Sequence, residues 1–137
     1  MLPQELYRRV HVVSHSQIDL LVRGADMAEM EAGGTLVSID PGHIKVATAW
    51  DNDGEEPHVE IVITGYGQLS AAGIDAAIPV ASSPLDVGAD GIEVGNFIVA
   101  DVATVAIPAG RYGVTVFVDK LEPMTARRVY FHFRSAG

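Results

Sequence analysis

The sequence contains no cysteine, which removes disulfides, zinc–thiolate centres and thiol nucleophiles at once and agrees with a reducing compartment. No run approaches the ~20 apolar residues that a membrane-spanning helix needs. The opening Met-Leu-Pro-Gln-Glu-Leu-Tyr-Arg-Arg also lacks the basic-then-apolar order of a signal peptide. A soluble, cytoplasmic protein is therefore expected. Long helical patterns are missing too. Ala25 to Ala32, with Met27 and Met30 three apart, Asp26 as an N-cap and Gly33 and Gly34 as the stop, supports a turn or two of helix and no more. Base is absent from Asp51 to Gly110: that stretch holds Asp51, Asp53, Glu55, Glu56, Glu60, Asp75, Asp86, Asp90, Glu93 and Asp101 but no Lys or Arg. Five of the nine bases, Arg111, Lys120, Arg127, Arg128 and Arg134, fall in the last 27 residues, and the net charge is -9. No basic stripe exists to neutralise phosphates, so direct binding of nucleic acid is not expected.

What the chain does have is β-strand signal. Ile107 to Val118 reads as a turn feeding a strand: Pro108 cannot donate to a ladder, Gly110 tolerates positive φ, and Tyr112, Val114, Val116 and Val118 then recur at every second position. Val129, Phe131 and Phe133 alternate with Tyr130, His132 and Arg134 in a last strand. Ile44, Val46, Thr48 and Trp50 share one face of another, and Val59, Ile61 and Ile63 one face of the strand after it. These two are expected to form a hairpin across Asp51 to Pro57. Val10 to Val22 is one long strand or two joined at Ser14 to Gln17, Thr35 to Ile39 ends at the turn Asp40-Pro41-Gly42, and Ile74 to Val80 is a weak strand broken by Pro79. Ser82 to Gly91 reads as a polar connection, and Phe97 to Ala100 as part of a strand. Turn signals recur roughly every 8–12 residues. The expected fold is a single all-β domain over residues 1–137, an antiparallel two-sheet, jelly-roll-like β-sandwich of about eight strands with at most one short helix.

Chemistry-bearing groupings are sparse. His11 and His15 fall about 13 Å apart along a strand and cannot chelate one ion. His43 and His58 flank the outer ends of the expected hairpin, but two histidines without a third ligand make a weak metal site. Asp51-Asn52-Asp53-Gly54-Glu55-Glu56 offers hard oxygens around a glycine, yet glycine comes fourth where a calcium loop needs it sixth. Ser14-His15-Ser16 lacks the strained turn of a serine nucleophile. Gly110-Arg111-Tyr112-Gly113 matches no phosphate-binding fingerprint, and no pair of carboxylates is singled out for glycosidase chemistry. Trp50, Tyr66 and Gln68 would suit a sugar-binding face, although Trp50 also fits a core position. Tyr112 is placed to send its hydroxyl to a backbone group at the end of the sandwich. No cofactor is implied.

The order of elements resembles the competence protein J family, small acidic bacterial proteins associated with inhibition of a DNA-entry nuclease. The likeness spans most of residues 10 to 133 and rests on Ser14 to Ile18, His58 to Thr64, Gly91-Ile92-Glu93-Val94 and the Pro-x-Gly-x-Tyr of Pro108, Gly110 and Tyr112. The Ala/Met/Glu segment before Thr35, Ala25 to Ala32, has no counterpart in that pattern, and no inhibitory motif of the family can be matched residue by residue. The resemblance implies a sandwich and a nuclease-inhibiting role.

The expectation that joins these readings is a non-enzymatic acidic binding protein that occupies the basic cleft of a nuclease or toxin, with Asp51, Asp53, Glu55, Glu56 and Glu60 as one contact patch and Asp86, Asp90 and Glu93 as a second. Carboxylates on alternate strand positions repeat at about 7 Å and could stand in for phosphates. Two alternatives stay open: a ligand-binding or structural sandwich module, dimeric through an edge strand or carbohydrate-binding, and a metal-dependent enzyme built on His43 and His58.

Overall fold

A strand that buries every second residue on one face needs a second apolar layer opposite it. In the computed structural model, which describes residues 5–25, 36–49, 57–65, 77–122 and 124–135, two sheets supply those layers. The strands are β1 (Glu5–Val12), β2 (Gln17–Val22), β3 (Val37–Asp40), β4 (His43–Ala47), β5 (His58–Gly65), β6 (Ile78–Val87), β7 (Ile92–Asn96), β8 (Asp101–Val105), β9 (Gly110–Val118) and β10 (Arg128–Ser135). One sheet runs β1-β5-β10-β9-β6 and the other β3-β4-β2-β7-β8. All pairings are antiparallel except β5 with β10, where Ile61 lies beside Val129 and Ile63 beside Phe131 in parallel register. The described residues contain no helix, and the all-β sandwich expected from the sequence is what forms.

The core is the sum of the inner faces. Val59, Ile61 and Ile63 of β5, Tyr112, Val114, Val116 and Val118 of β9, and Val129, Phe131 and Phe133 of β10 meet Ile18 and Leu20 of β2, Ile44 and Val46 of β4, and Ile92 and Val94 of β7 in one buried cluster. Phe133 packs edge-on against Tyr112 with ring centroids 5.5 Å apart. The Tyr112 hydroxyl donates to the Pro108 carbonyl at 2.6 Å, so the turn before β9 is tied to the strand it launches.

Several expectations are corrected. The described residues form ten strands, against the about eight expected. The hairpin between His43–Trp50 and the following strand does not form: β4 pairs with β2 and β3, and β5 with β1 and β10, in different sheets. Alternation shows which face is buried but not which strand lies alongside, and a connection of ten residues easily crosses the ~10 Å between packed sheets. Ser82 to Gly91 is mostly strand, because β6 continues from Ile78 to Val87. As the edge of its sheet β6 accommodates Pro79 at a bulge and Pro84 opposite Gly113, where a missing N–H costs no ladder bond. Phe97 to Ala100 is a turn: the Asn96 side-chain oxygen accepts from the amides of Ile98 at 3.1 Å and Val99 at 3.0 Å. The short helix expected within Ala25 to Ala32 lies, from Asp26 onward, outside the described residues, as do Trp50, Tyr66 and Gln68.

Two substitutions check this architecture. Phe131→Ala, in the fully buried centre of β10, should lower unfolding free energy by roughly 3–5 kcal/mol. Tyr112→Phe keeps the ring and removes the bond to Pro108, so a loss of about 1 kcal/mol is expected in urea titration with an unchanged m-value.

Candidate functional site

The strands give the sandwich two ends. At one lie the β6–β7 turn, the β3–β4 turn and the start of β9; at the other lie the β1–β2, β7–β8 and β9–β10 connections. The strands between them run four to six residues in one sheet and eight to ten in the other, at about 3.3 Å per residue. Charge that is contiguous in sequence is divided between these ends. Asp51, Asp53, Glu55 and Glu56 lie outside the described residues, but the residues on either side of them are firmly held. The Ala49 amide donates to the Ala126 carbonyl at 2.9 Å, the Thr48 amide to Ser16 at 2.8 Å, and the Val13 amide to Pro57 at 3.0 Å. Asp86, Asp90 and Glu93 lie toward the opposite end from Glu60, the described member of the first expected patch.

Individual acids also differ in how free they are. Glu60, on the outer face of β5, accepts from Arg8 at 3.0 Å and lies 3.4 Å from Arg128. Asp86 is paired with Arg111 at 3.0 Å, and Glu93 stands 3.9 Å from Arg23. Asp90 is exposed in the β6–β7 turn with no ion-pair partner among the described residues. The sequence separation of acids from bases is thus undone in space at Glu60 and Asp86, because β10 and β9 deliver arginines directly beside β5 and β6. These exposed pairs each contribute little to stability. Their consequence is that Glu60 and Asp86 have neighbouring cations to satisfy them, whereas Asp90 can offer its charge to a partner.

Sequence reasoning missed a polar cluster around the buried His11 at the seam between the sheets. Tyr7, Arg9 and His11 alternate on β1 and face Asp101 at the start of β8. The Asp101 carboxylate takes an ion pair from Arg9 and accepts from the Val12 amide at 2.6 Å. Its backbone carbonyl lies 3.0 Å from His11 Nδ1. Arg9 Nη2 lies 3.2 Å from the same Nδ1, and the Tyr7 hydroxyl is hydrogen-bonded to Nε2 at 2.6 Å. His11 is fully buried, and burial, helped by the Arg9 charge, pushes its pKa below the ordinary value against the opposing influence of Asp101. Burial likewise raises the Tyr7 hydroxyl. A β-carbon at Gly95 would come 2.1 Å from the Asp101 carbonyl and 3.0 Å from His11 Nδ1, so glycine is required for this approach. Period-two spacing of Tyr7, Arg9 and His11 was readable in the chain; their partner, ninety residues later, was not. The cluster joins the two sheets, with His11 buried beneath the half-exposed Arg9.

The other histidines do not assemble a metal centre. His43 is buried on the outer face of β4, 2.7 Å from Asp19, while His58 is exposed at the start of β5 in the other sheet. The two do not face each other across a hairpin, because β4 and β5 lie in different sheets. Among the described residues no group of three or more acidic or histidine side chains could hold an ion. A groove of about 680 Å³ between the β3–β4 turn and β6 is lined by Asp40, Pro41, Ser83, Pro84, Asp86 and Arg111, with no aromatic ring among its lining residues.

No protein-family model matches the chain, and no curated protein matches it in sequence. Among solved structures it is similar to ComJ of Bacillus subtilis, described as the inhibitor of the DNA degrading activity of NucA, with a TM-score of 0.67 over 99% of both chains at 12% identity. The resemblance to competence protein J read from the order of elements is borne out at the level of the fold.

The seam makes stability depend on pH. Unfolded His11 takes up a proton near its ordinary value of 6.5, but folded His11, held neutral by burial, does so only at lower pH. The unfolded state then binds more protons, so stability is lost as pH falls below about 6.5. His132, lowered by burial and by Arg134, adds to the same slope. Unfolding measured between pH 7 and 5 should show this decline, and His11→Gln should make the decline shallower. An equal slope in that variant would remove His11 from the cause. Asp101→Ala, which strips partners from Arg9 and the Val12 amide, should cost roughly 1.5–3 kcal/mol.

Proposed function

We propose that this chain is a non-enzymatic binding protein that inhibits a nuclease by placing carboxylates in its basic cleft. The observation that carries this reading is the full-length likeness in fold to a nuclease inhibitor combined with a stretch from Asp51 to Gly110 that holds ten acids and no base. A cleft that binds phosphates must be cationic, so an acidic surface is attracted to it over long range and competes with DNA for it. The ion pairs redistribute the weight among the candidate residues. Asp51, Asp53, Glu55 and Glu56 form the leading contact, with Asp90 and Glu93 as a second surface at the far end. Glu60 and Asp86 serve mainly to hold Arg8, Arg128 and Arg111. One globular cleft engages one end of the molecule at a time, so the two surfaces are separable by mutation. A toxin with a basic active site would be met by the same chemistry.

The test is a titration of the purified protein into DNA-degradation assays with a panel of purified non-specific nucleases, NucA included, at low and high salt. Inhibition of at least one enzyme near one-to-one stoichiometry at low salt is expected, weakening as salt screens the approach. The double variant Glu55→Lys, Glu56→Lys should raise the half-inhibitory concentration by about tenfold or more. Asp90→Lys should have a smaller effect. Failure to inhibit any of the enzymes at low salt would overturn the reading.

A further inference from the structure

Glycine inside a strand weakens it, having no side chain to pack and more freedom to lose, and it marks a bulge, a bend or the close approach of another group. Gly113 is the fourth residue of the nine-residue β9. Its φ is not in the left-handed region, and its neighbours on both sides are in unbroken register, Pro84 on β6 and Arg134 on β10. Apart from its chain neighbours, no described atom lies within 4 Å of where a β-carbon would stand. Neither conformation nor packing asks for glycine here. What the missing side chain leaves is open space.

That space is the floor of a cavity of about 430 Å³ on the outer face of β6, β9 and β10, a size that suits a small ligand. Tyr112 and Val114 belong to the core, so alternation turns Arg111, Gly113 and Thr115 outward. Arg134 stands beside Gly113 across the ladder, and Arg111 lies two residues along the same face. On the far side the Ser82 and Thr115 hydroxyls are hydrogen-bonded to each other at 3.1 Å. One hydroxyl proton makes that bond and the second is left to donate. The arginines also have donors to spare. Arg111 meets Asp86 through Nε, which leaves its terminal nitrogens, and Arg134 has no hydrogen bond or ion pair among the described residues. Asp86 and Asp40 line the adjoining groove with Arg111 and are not among the residues that line this cavity. In a chain of eighteen acids and nine bases, the cavity is walled by two bases and no acid.

We infer that this cavity binds a small phosphate monoester, its phosphate held over Gly113 between Arg111 and Arg134 and receiving the spare proton of the Ser82–Thr115 pair. The donor set selects the ligand. Planar forks of N–H groups match the oxygens of a phosphate, and a group carrying nearly two negative charges at neutral pH balances two guanidiniums where a carboxylate balances one. The cavity is larger than inorganic phosphate needs, so the phosphate carries an organic body, which lies along Pro84. Two arginines make a point site, not the extended stripe that a nucleic acid backbone requires. The exposed pair with Asp86 is no obstacle, since an ion pair of that kind is worth little and leaves most of the guanidinium unspent. The site is independent of nuclease inhibition.

The test is calorimetric titration of the purified protein at low salt with glucose 6-phosphate and with AMP, alongside glucose, adenosine and inorganic sulfate. At least one ester should bind one-to-one with a Kd of roughly 0.1–1 mM, sulfate at least about tenfold more weakly, and the unphosphorylated compounds not at all. The tighter ester tells whether the organic body is a sugar or a nucleoside. Arg134→Gln, at an exposed position, should weaken binding about fivefold or more at an unchanged thermal midpoint. Gly113→Val fills the cavity and should abolish binding, yet hold or raise the thermal midpoint, because valine suits a strand better than glycine. Should that variant unfold early, Arg111→Gln with Arg134→Gln decides, a loss of at least about tenfold supporting the site. Three results would each overturn it: no binding of either ester up to about 10 mM, sulfate binding as tightly as the esters, or an unchanged Kd in Arg134→Gln.

Discussion

Two apolar sheet faces that exist only by covering each other are the constraint on which the molecule depends. β9 and β10 present Tyr112, Val114, Val116, Val118, Val129, Phe131 and Phe133 to one side, and none of these could remain in water without a second layer. β2, β4 and β7 provide it with Ile18, Leu20, Ile44, Val46, Ile92 and Val94. With the middle of the molecule committed to packing, function is left to the ends and outer faces, which is where binding residues sit on sandwich scaffolds generally.

A stack of two open sheets has edges that must be finished. At one, the Asp101 carboxylate and carbonyl bind Arg9, His11 and the Val12 amide, fastening β1 to β8 across the seam. At the other, β6 carries Pro79 and Pro84, which deny a further strand some of the donors it would need. Burial lowers the pKa of the seam's histidine, so this closing device also ties stability to pH. The cluster acts as a clasp, its hydrogen bonds joining β1 to the start of β8.

The charge pattern takes on a different meaning in three dimensions. Sixty residues without a base would make one face uniformly acidic only if the strands they form stayed together. They do not, since β5 and β6 join a sheet with β9 and β10, whose arginines neutralise Glu60 and Asp86. Among the described members of the two expected patches, Asp90 in the β6–β7 turn is the one left without such a cation.

The sequence alone determined which faces are buried, because a period of two in Val129, Phe131 and Phe133 or in Tyr112 to Val118 is a local property of the extended chain. It also determined the turn at Pro108 and Gly110, the tie from Tyr112 to the end of the sandwich, and the absence of thiol chemistry. Strand partnership was beyond it: β4 and β5 alternate as a hairpin would yet enter different sheets, since hydrogen-bond ladders are set by long-range packing. Proline in β6 misled for the same reason, its cost depending on whether the strand is central or at an edge. Phe97 to Ala100 misled because apolar composition was taken for strand, while the deciding bonds come from the buried Asn96 carboxamide. The tertiary structure alone decided which acids are neutralised and which are free, because Coulomb attraction acts through space and brings Arg111 to Asp86 and Arg128 to Glu60 across gaps that the linear chain cannot show.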